Sequence, residues 1–440
     1  YIALSARQQP VGITLKTTLI VAMVLLIAYF VWPDANWYQL MVKNGLLLLA
    51  SVAALPSFLF YLLKGMGARA RGFKLRLLFK DASQQVTRRF LPIAAFYLAL
   101  TASISAALMI NSFESSFVTY LNQLLNSDMF VRYNAEQKAQ VSEWVSQSDN
   151  NVKDYALFQK SVARIGTRTV DLHAINAEFQ RESLLFKQSA AESINVSTVS
   201  NSDTCYVNEQ LAYGEQLKLA QPVTFTQGSH TFSCTVIGIY HDYGNQSYGI
   251  KINVSPNRSL PIAWQEVGYG VFFHDKKHIG KQGIIDLLKL DDDQVFEPEE
   301  IKQLALGVFE QTFVLTQAIA FVLLTIACFG LFLSANNLEL ARKPDLHILS
   351  SLGFSRRELF MHMIWQWLML AGGAILLSWP VAMVLADVLV GQVLPASFGW
   401  SMPLTLNIAP FAISSVIGLL ILIPALGIPL YRLNIRASLS

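Results

Sequence analysis

Residues 310–339 read EQTFVLTQAIAFVLLTIACFGLFLSANNLE, with 28 uncharged residues between Glu310 and Glu339. About 20 apolar residues in a helix cross the hydrocarbon of a bilayer, so this stretch can span one with turns to spare. Five further gaps have the same character: 17 residues between Lys16 and Asp34, 20 between Lys43 and Lys64, 24 between Arg89 and Glu114, 28 between Glu358 and Asp387, and the run from Asp387 to Arg432. They predict six transmembrane helices near 17–33, 45–63, 90–112, 312–336, 361–386 and 408–430. A buried core helix explains any one gap; six in one chain require a membrane.

The composition agrees. Of 440 residues 53% are hydrophobic and 14% charged, too apolar for a protein wholly in water. The net charge of +3 excludes a polycationic nucleic-acid binder, so no nucleic-acid partner is expected.

The charges orient the chain. Residues 64–89 carry eight Lys and Arg against Asp81 alone, the loop after the fourth span carries Arg342, Lys343, Arg356 and Arg357, and the tail carries Arg432 and Arg436. The opposite loops hold Asp34, Lys43 and Asp387. The positive-inside rule places the basic side and both termini in the cytoplasm. Tyr1 is not Met and residues 1–10 lack a signal-peptide layout, which implies a start inside a longer protein or after processing.

Between the third and fourth spans, roughly 111–309, apolar positions alternate, turn residues recur and most acidic side chains are found; the length suffices for a domain. Strands are expected at 129–132, 221–226, 231–240 and 249–254, and helices at 136–147, 172–183 and 211–219. The fold class is a membrane protein: an α-helical bundle of six transmembrane helices with an inserted extracytoplasmic α+β domain. Its parts are 1–66, two joining spans; 67–112, an amphipathic segment and a span; 113–309, the α+β domain; and 310–440, three spans with a cytoplasmic loop at 339–359. Cys205 and Cys234 share the outer domain, where they are either a disulfide or two buried thiols on neighbouring strands, while Cys328 lies in a span.

Catalytic and cofactor signatures are missing from the sequence: no phosphate-cradling Gly-rich loop, no nucleophile elbow, no C-x-x-C metal pair. His274 and His278 lie four apart but are flanked by Lys276 and Lys277, which oppose a cation, so a solvated loop is expected; His241-Asp242 reads as a turn. No enzyme and no cofactor in this chain are expected. The spans also lack the midplane ionisable residues of ion-coupled transporters, since His362 and Asp387 stand at helix ends as interfacial anchors. Energy for any transport must then enter elsewhere.

The loop after the fourth span offers the entry point. Pro344 suits a first helical turn, Ile348, Leu349 and Leu352 form an apolar stripe, Gly353 can end the helix, and Ser355 with Glu358 makes a capping box that starts the fifth span. A short helix lying across the membrane face is the result.

The string ELARKPDLHILSSLGFSRREL at 339–359 resembles the corresponding segment of FtsX-like permeases. Glu339, Arg342, Leu346, Ile348, Leu349, Leu352, Gly353, Arg356 and Arg357 match; Pro344, Asp345, His347 and Ser350 depart from the usual residues. The resemblance implies that 339–359 is a coupling helix docking on a separate ABC ATPase that holds the ATP and Mg, with Asp345 among the contact positions. Residues 75–89 resemble the amphipathic in-plane helix of the same family. There Phe73, Leu75, Leu78 and Phe79 would enter the membrane interface while Lys74, Arg76 and Lys80 meet headgroups. Residues 207–244 are similar to the family's outer-domain passage, and the whole resembles the C-terminal half of a ten-helix member.

The implied function is the permease subunit of an ABC transporter of mechanotransmission type in a bacterial inner membrane, its large domain in the periplasm, exporting or extracting a lipophilic substrate or lipoprotein. Implied partners are the ATPase, expected as a dimer, the N-terminal half of the permease or a second copy, a periplasmic protein and membrane lipids. The rival is a membrane-anchored receptor or scaffold acting on a periplasmic partner without transport.

Overall fold

The computed structural model describes residues 15–147, 151–176, 178–189, 204–254, 261–274, 280–341 and 355–436. The chain divides into a helical unit, Tyr1–Ser112 with Phe313–Val393 and Leu404–Ser440, and a sheet unit, Phe113–Thr312 with Leu394–Pro403.

Apolar runs become long helices because a helix satisfies every backbone hydrogen bond within itself. Among the described residues four are long and apolar enough to cross a bilayer: Trp37–Arg69, Phe90–Leu124, Pro298–Ser334 and Arg357–Phe398. Leu15–Val31 is apolar but shorter, and the helix Ile408–Arg436 runs 29 residues and includes the apolar stretch Ile408–Ile423. The 17 residues of Leu15–Val31 reach about 26 Å at the ordinary rise, just under the ~30 Å hydrocarbon. Leu19, Ile20, Val24 and Ile27 stand exposed on it, a surface suited to lipid.

The core of the helical unit follows the 3.6-residue period. Leu55, Leu59 and Leu63 pack with Phe96, Leu100, Ile104 and Leu108 and with Trp367, Ala371 and Ala374, all buried. Gly373 has Leu59 so close that a Cβ would stand 2.4 Å from its Cδ2.

The amphipathic helix runs over Phe73–Gln85, not to 89, because residues 86–89 form a turn. Phe73 and Leu75 are exposed as expected for an interfacial helix, but Leu78 and Phe79 are buried in the protein. The helix Trp37–Arg69 is longer than its span, and Gly67 in its last turns gives Phe79 a close seat, with the Phe79 Cβ 3.0 Å from where a Gly67 Cβ would stand. Leu78 and Phe79 therefore face protein and not lipid. Arg76 donates to the Ala70 carbonyl at 3.4 Å.

In the sheet unit ten strands form one mixed sheet: β1 Met129–Val131, β2 Val152–Ile165, β3 Arg168–Ile175, β4 Phe186–Ser189, β5 Thr204–Asn208, β6 Pro222–Gln227, β7 His230–Tyr240, β8 Tyr248–Asn253, β9 Gln265–Phe273 and β10 Val295–Phe296. Their order is β10-β1-β9-β2-β3-β8-β5-β7-β4, with β6 beside β2 and β7. β3 with β8 and β5 with β7 are parallel, and the other pairs antiparallel. One core gathers Val170, Leu172, Val207, Leu211, Val236 and Ile250; another packs the helices Lys138–Ser146 and Lys281–Leu288 on Val131, Val271 and Val295. Cys205 and Cys234 are joined by a disulfide within the first core.

Two expected helices change. Residues 172–175 belong to β3, and only Glu178–Glu182 is helical: Val170, Leu172 and Ala174 point into the core while Asp171 and His173 do not, a period of two. The helix expected at 211–219 is Glu209–Gly214. Asn208 starts it by accepting from the Leu211 amide at 3.0 Å, and Gln216 at φ 54° ends the helical path.

Candidate coupling site

Two helices of the helical unit carry polar stripes at helical spacing. On Phe73–Gln85 these are Lys74 and Asp81, two turns apart; on Arg356–Val388 they are Glu358, His362 and Gln366, one turn apart each. The start of the second helix is set by the expected capping box. Ser355 donates its amide to Glu358 Oε2 at 3.0 Å, and the Glu358 amide donates to Ser355 Oγ at 3.3 Å.

The stripes meet. Lys74 Nζ donates to Glu358 Oε1 at 2.6 Å, His362 Nε2 lies 3.2 Å from Asp81 Oδ2, and Gln366 Nε2 donates to the same Asp81 oxygen. Just beyond the first helix Arg89, 1% exposed, donates through Nη2 to Gln366 Oε1 at 3.1 Å and lays its guanidinium 4.5 Å from the Trp367 ring. Gln366, fully buried, thus bridges a buried cation and a carboxylate with the two ends of one amide.

The energetics differ along the strap. The Lys74 and Glu358 side chains are 74% and 43% exposed, so water screens their pair. The inner contacts are more enclosed, with Arg89, Gln366 and Trp367 buried and Asp81 20% exposed, and a buried charge is tolerated only with partners, so these groups depend on one another. The outcome is a rigid joint between the amphipathic helix and the first three turns of Arg356–Val388.

That joint includes Glu358, near the end of the 339–359 segment singled out in the sequence. Arg342, Asp345, Ile348, Leu349, Leu352 and Gly353 lie outside the described residues, as do the side chains of Glu339 and Arg356; Glu339 lies in the last turn of the helix Pro298–Ala341, and Arg356 opens the next one. Arg357 is exposed. His362, expected as an interfacial anchor, is instead half-buried against Asp81. Asp81, Arg89 and Gln366 were missed, and their signal was the polar pair His362 and Gln366 one turn apart at the head of an otherwise apolar helix. Of the spaced histidines, His274 follows β9 and His278 lies outside the described residues. Among the described residues no three His, Cys, Asp or Glu side chains are grouped to hold a metal.

Comparison with known proteins bears on the same region. Residues 318–436 match the FtsX-like permease C-terminal family. An uncharacterized ABC transporter permease protein of Mycobacterium tuberculosis is 20% identical over 384 residues, covering 81% of this chain and 43% of its own length. The chain thus spans less than half of that relative. The periplasmic region of MacB from Actinobacillus actinomycetemcomitans is similar over 40% of this chain and 90% of its own, at 14% identity and a TM-score of 0.24, too low to bear on the fold.

Proposed function

Residues 318–436 carry the FtsX-like permease C-terminal region, and from that premise we propose that the chain is the permease part of an ABC transporter that works by mechanotransmission. A separate ATPase, working as a dimer, docks on 339–359. The inner-membrane topology has six spans, both termini in the cytoplasm and the sheet unit in the periplasm, as the positive-inside rule requires. The N-terminal half of a longer permease, or a second copy, completes the membrane part.

One observation carries this reading most directly. Phe90–Leu124 and Pro298–Ala341 are unbroken helices of 35 and 44 residues that begin or end in the sheet unit. At 1.5 Å per residue they measure about 52 and 66 Å, far beyond the hydrocarbon thickness, so each can carry a tilt made at one membrane face to the other. The strap from Lys74 to Trp367 supports the input end: it joins the amphipathic helix to the helix leaving the coupling segment, so a push on either moves both. The sheet unit then extracts a lipophilic substrate or lipoprotein from the outer leaflet or passes the motion to a periplasmic protein.

Reconstitution with the cognate ATPase tests the reading. Leu349→Glu or Arg356→Glu is expected to lower permease-dependent ATP hydrolysis by about tenfold or more, the loss typical of a docking hot spot. Hydrolysis equal to the wild type in both variants overturns the docking assignment.

A further inference from the structure

The sheet unit includes Leu394–Pro403: residues 394–398 are the end of the helix Arg357–Phe398, and 399–403 follow it toward the next membrane helix. Inside that unit they are held by a polar cluster centred on the buried Glu209, 4% exposed and the first residue of the helix Glu209–Gly214. Ser401 Oγ donates to Glu209 Oε1 at 2.6 Å. Lys187 Nζ donates to the same carboxylate oxygen and to Ser401 Oγ at 2.9 Å. His241 Nδ1 lies 2.9 Å from Glu209 Oε2. Burial by itself would raise the Glu209 carboxyl, but the hydrogen bonds from His241, Lys187 and Ser401 outweigh it and hold the group below its ordinary value.

Packing adds to the polar hold. Trp400 is buried, its ring 5.4 Å from Tyr243, 5.7 Å from Phe113 and 5.9 Å from Phe398. Gly399 takes φ +78°, and a Cβ there would stand 3.2 Å from the Gln210 Cα, so only glycine lets this segment lie so close to the helix backbone. The seat itself is rigid. Gln210 Nε2 donates to the Asp242 and Asn245 carbonyls at 2.8 and 2.7 Å, and Asn208 Nδ2 to the Ser247 carbonyl at 2.8 Å. His241-Asp242, expected as a turn, immediately precedes the turn at Tyr243-Gly244 and walls this seat.

A second, independent observation lies just upstream. The helix Arg356–Val388 does not end in a cap; it passes into a π-helical turn, Leu389–Val393, before the ten residues begin. Such turns hold one residue too many for α-helical register and recur at functional sites and at helix kinks. The helix that they interrupt is the one that starts at the coupling segment.

We propose that 394–403 is a strap through which the helix Arg356–Val388 pulls on the sheet unit, with Glu209 as its clasp and 389–393 as its hinge. The proposal rests on the mechanotransmission reading and adds a third link to the two continuous helices. Glu209 acts by positioning Ser401 and Trp400. Its charge makes the clasp selective: with Ser401 withdrawn, a buried carboxylate loses the Ser401 hydroxyl and backbone amide together, so the strap is either fully seated or released.

Hydrogen–deuterium exchange on the full permease with its ATPase, nucleotide-free and trapped with ATP and vanadate, tests it. Trapping is expected to change the protection of amides 399–402 together with those of 113–124 and 298–312. Glu209→Gln, and separately Ser401→Ala on the strap itself, are expected to raise resting exchange at 399–402 by about tenfold, with the Cys205–Cys234 bond still formed as the sign of a folded sheet unit. If trapping alters 113–124 and 298–312 but leaves 399–402 unchanged, or if Ser401→Ala leaves resting exchange unchanged, the strap is overturned while the functional reading stands. If trapping alters none of the three segments, both fall.

Discussion

Burial pushes the Lys251 ammonium of β8 down to about 8 against the pull of Asp242, and the group sits 4.9 Å from the centre of the Tyr240 ring. Between pH 8 and its ordinary 10.5 the unfolded chain binds the extra proton, so stability must rise with pH across that window, by at most about 1.4 kcal/mol per pH unit. The tyrosines Tyr206 and Tyr240, held above their ordinary 10, reverse the trend above pH 10. Thermal unfolding of the sheet unit should therefore shift upward from pH 8 to 10, and Lys251→Met should abolish the shift; a slope that survives in the variant contradicts the assignment. In the helical unit, Arg89→Ala removes the buried hydrogen bond to Gln366 Oε1 and the guanidinium stacked on Trp367, and should cost about 2 kcal/mol, read as a lower unfolding midpoint in detergent. The sequence showed Arg89 only as the last of a basic run bound for headgroups. Nothing in one chain's order reveals that Gln366, 277 residues away, takes it inward.

Elements were legible where one physical requirement dominates. A gap of 20 or more uncharged residues has few alternatives to a helix, the strands at 129–131 and 222–227 follow plain alternation, and those at 230–240 and 248–253 are short β-branched and apolar runs next to glycine. Residues 172–175 were misread because Leu172, Ala174 and Ile175 fit either period, and pairing with β2 and β8 decided between them. β9 hides a further device. Its register against β2 slips between Gly268 and Glu266, and a Cβ on Gly268 would stand 2.4 Å from the Val131 carbonyl oxygen, a backbone atom that cannot yield. Gly268→Ala should destabilise the sheet unit by about 2 kcal/mol or more, whereas Gly280→Ala, with open space around it, should be nearly silent; equal unfolding midpoints for the two would contradict this account. The Cys205–Cys234 bond closes a separation of 29 residues, and its removal by the double Ala variant should cost about 3 kcal/mol on unfolding.

At the scale of the molecule, the near-neutral +3 conceals a polarity. On the proposed topology the cytoplasmic segments sum to +12 and the outer loops and domain to −9, so the basic face meets headgroups and the ATPase while the acidic domain faces away. That division, with 339–359, was readable from the order of residues because charge placement and a contiguous loop need no tertiary information. The joint at Asp81, His362, Gln366 and Arg89 and the clasp at Glu209 were not, since each assembles side chains from distant segments. The central claim is that ATP-driven closure at the cytoplasmic face moves the sheet unit. Spin labels at Leu304 of that unit and at Trp37 of the helical unit, both exposed, report it directly when their separation is measured in the complex before and after trapping with ATP and vanadate. The account predicts a distance shift of a few ångström that vanishes in Arg356→Glu; an identical distance distribution in both states would contradict it.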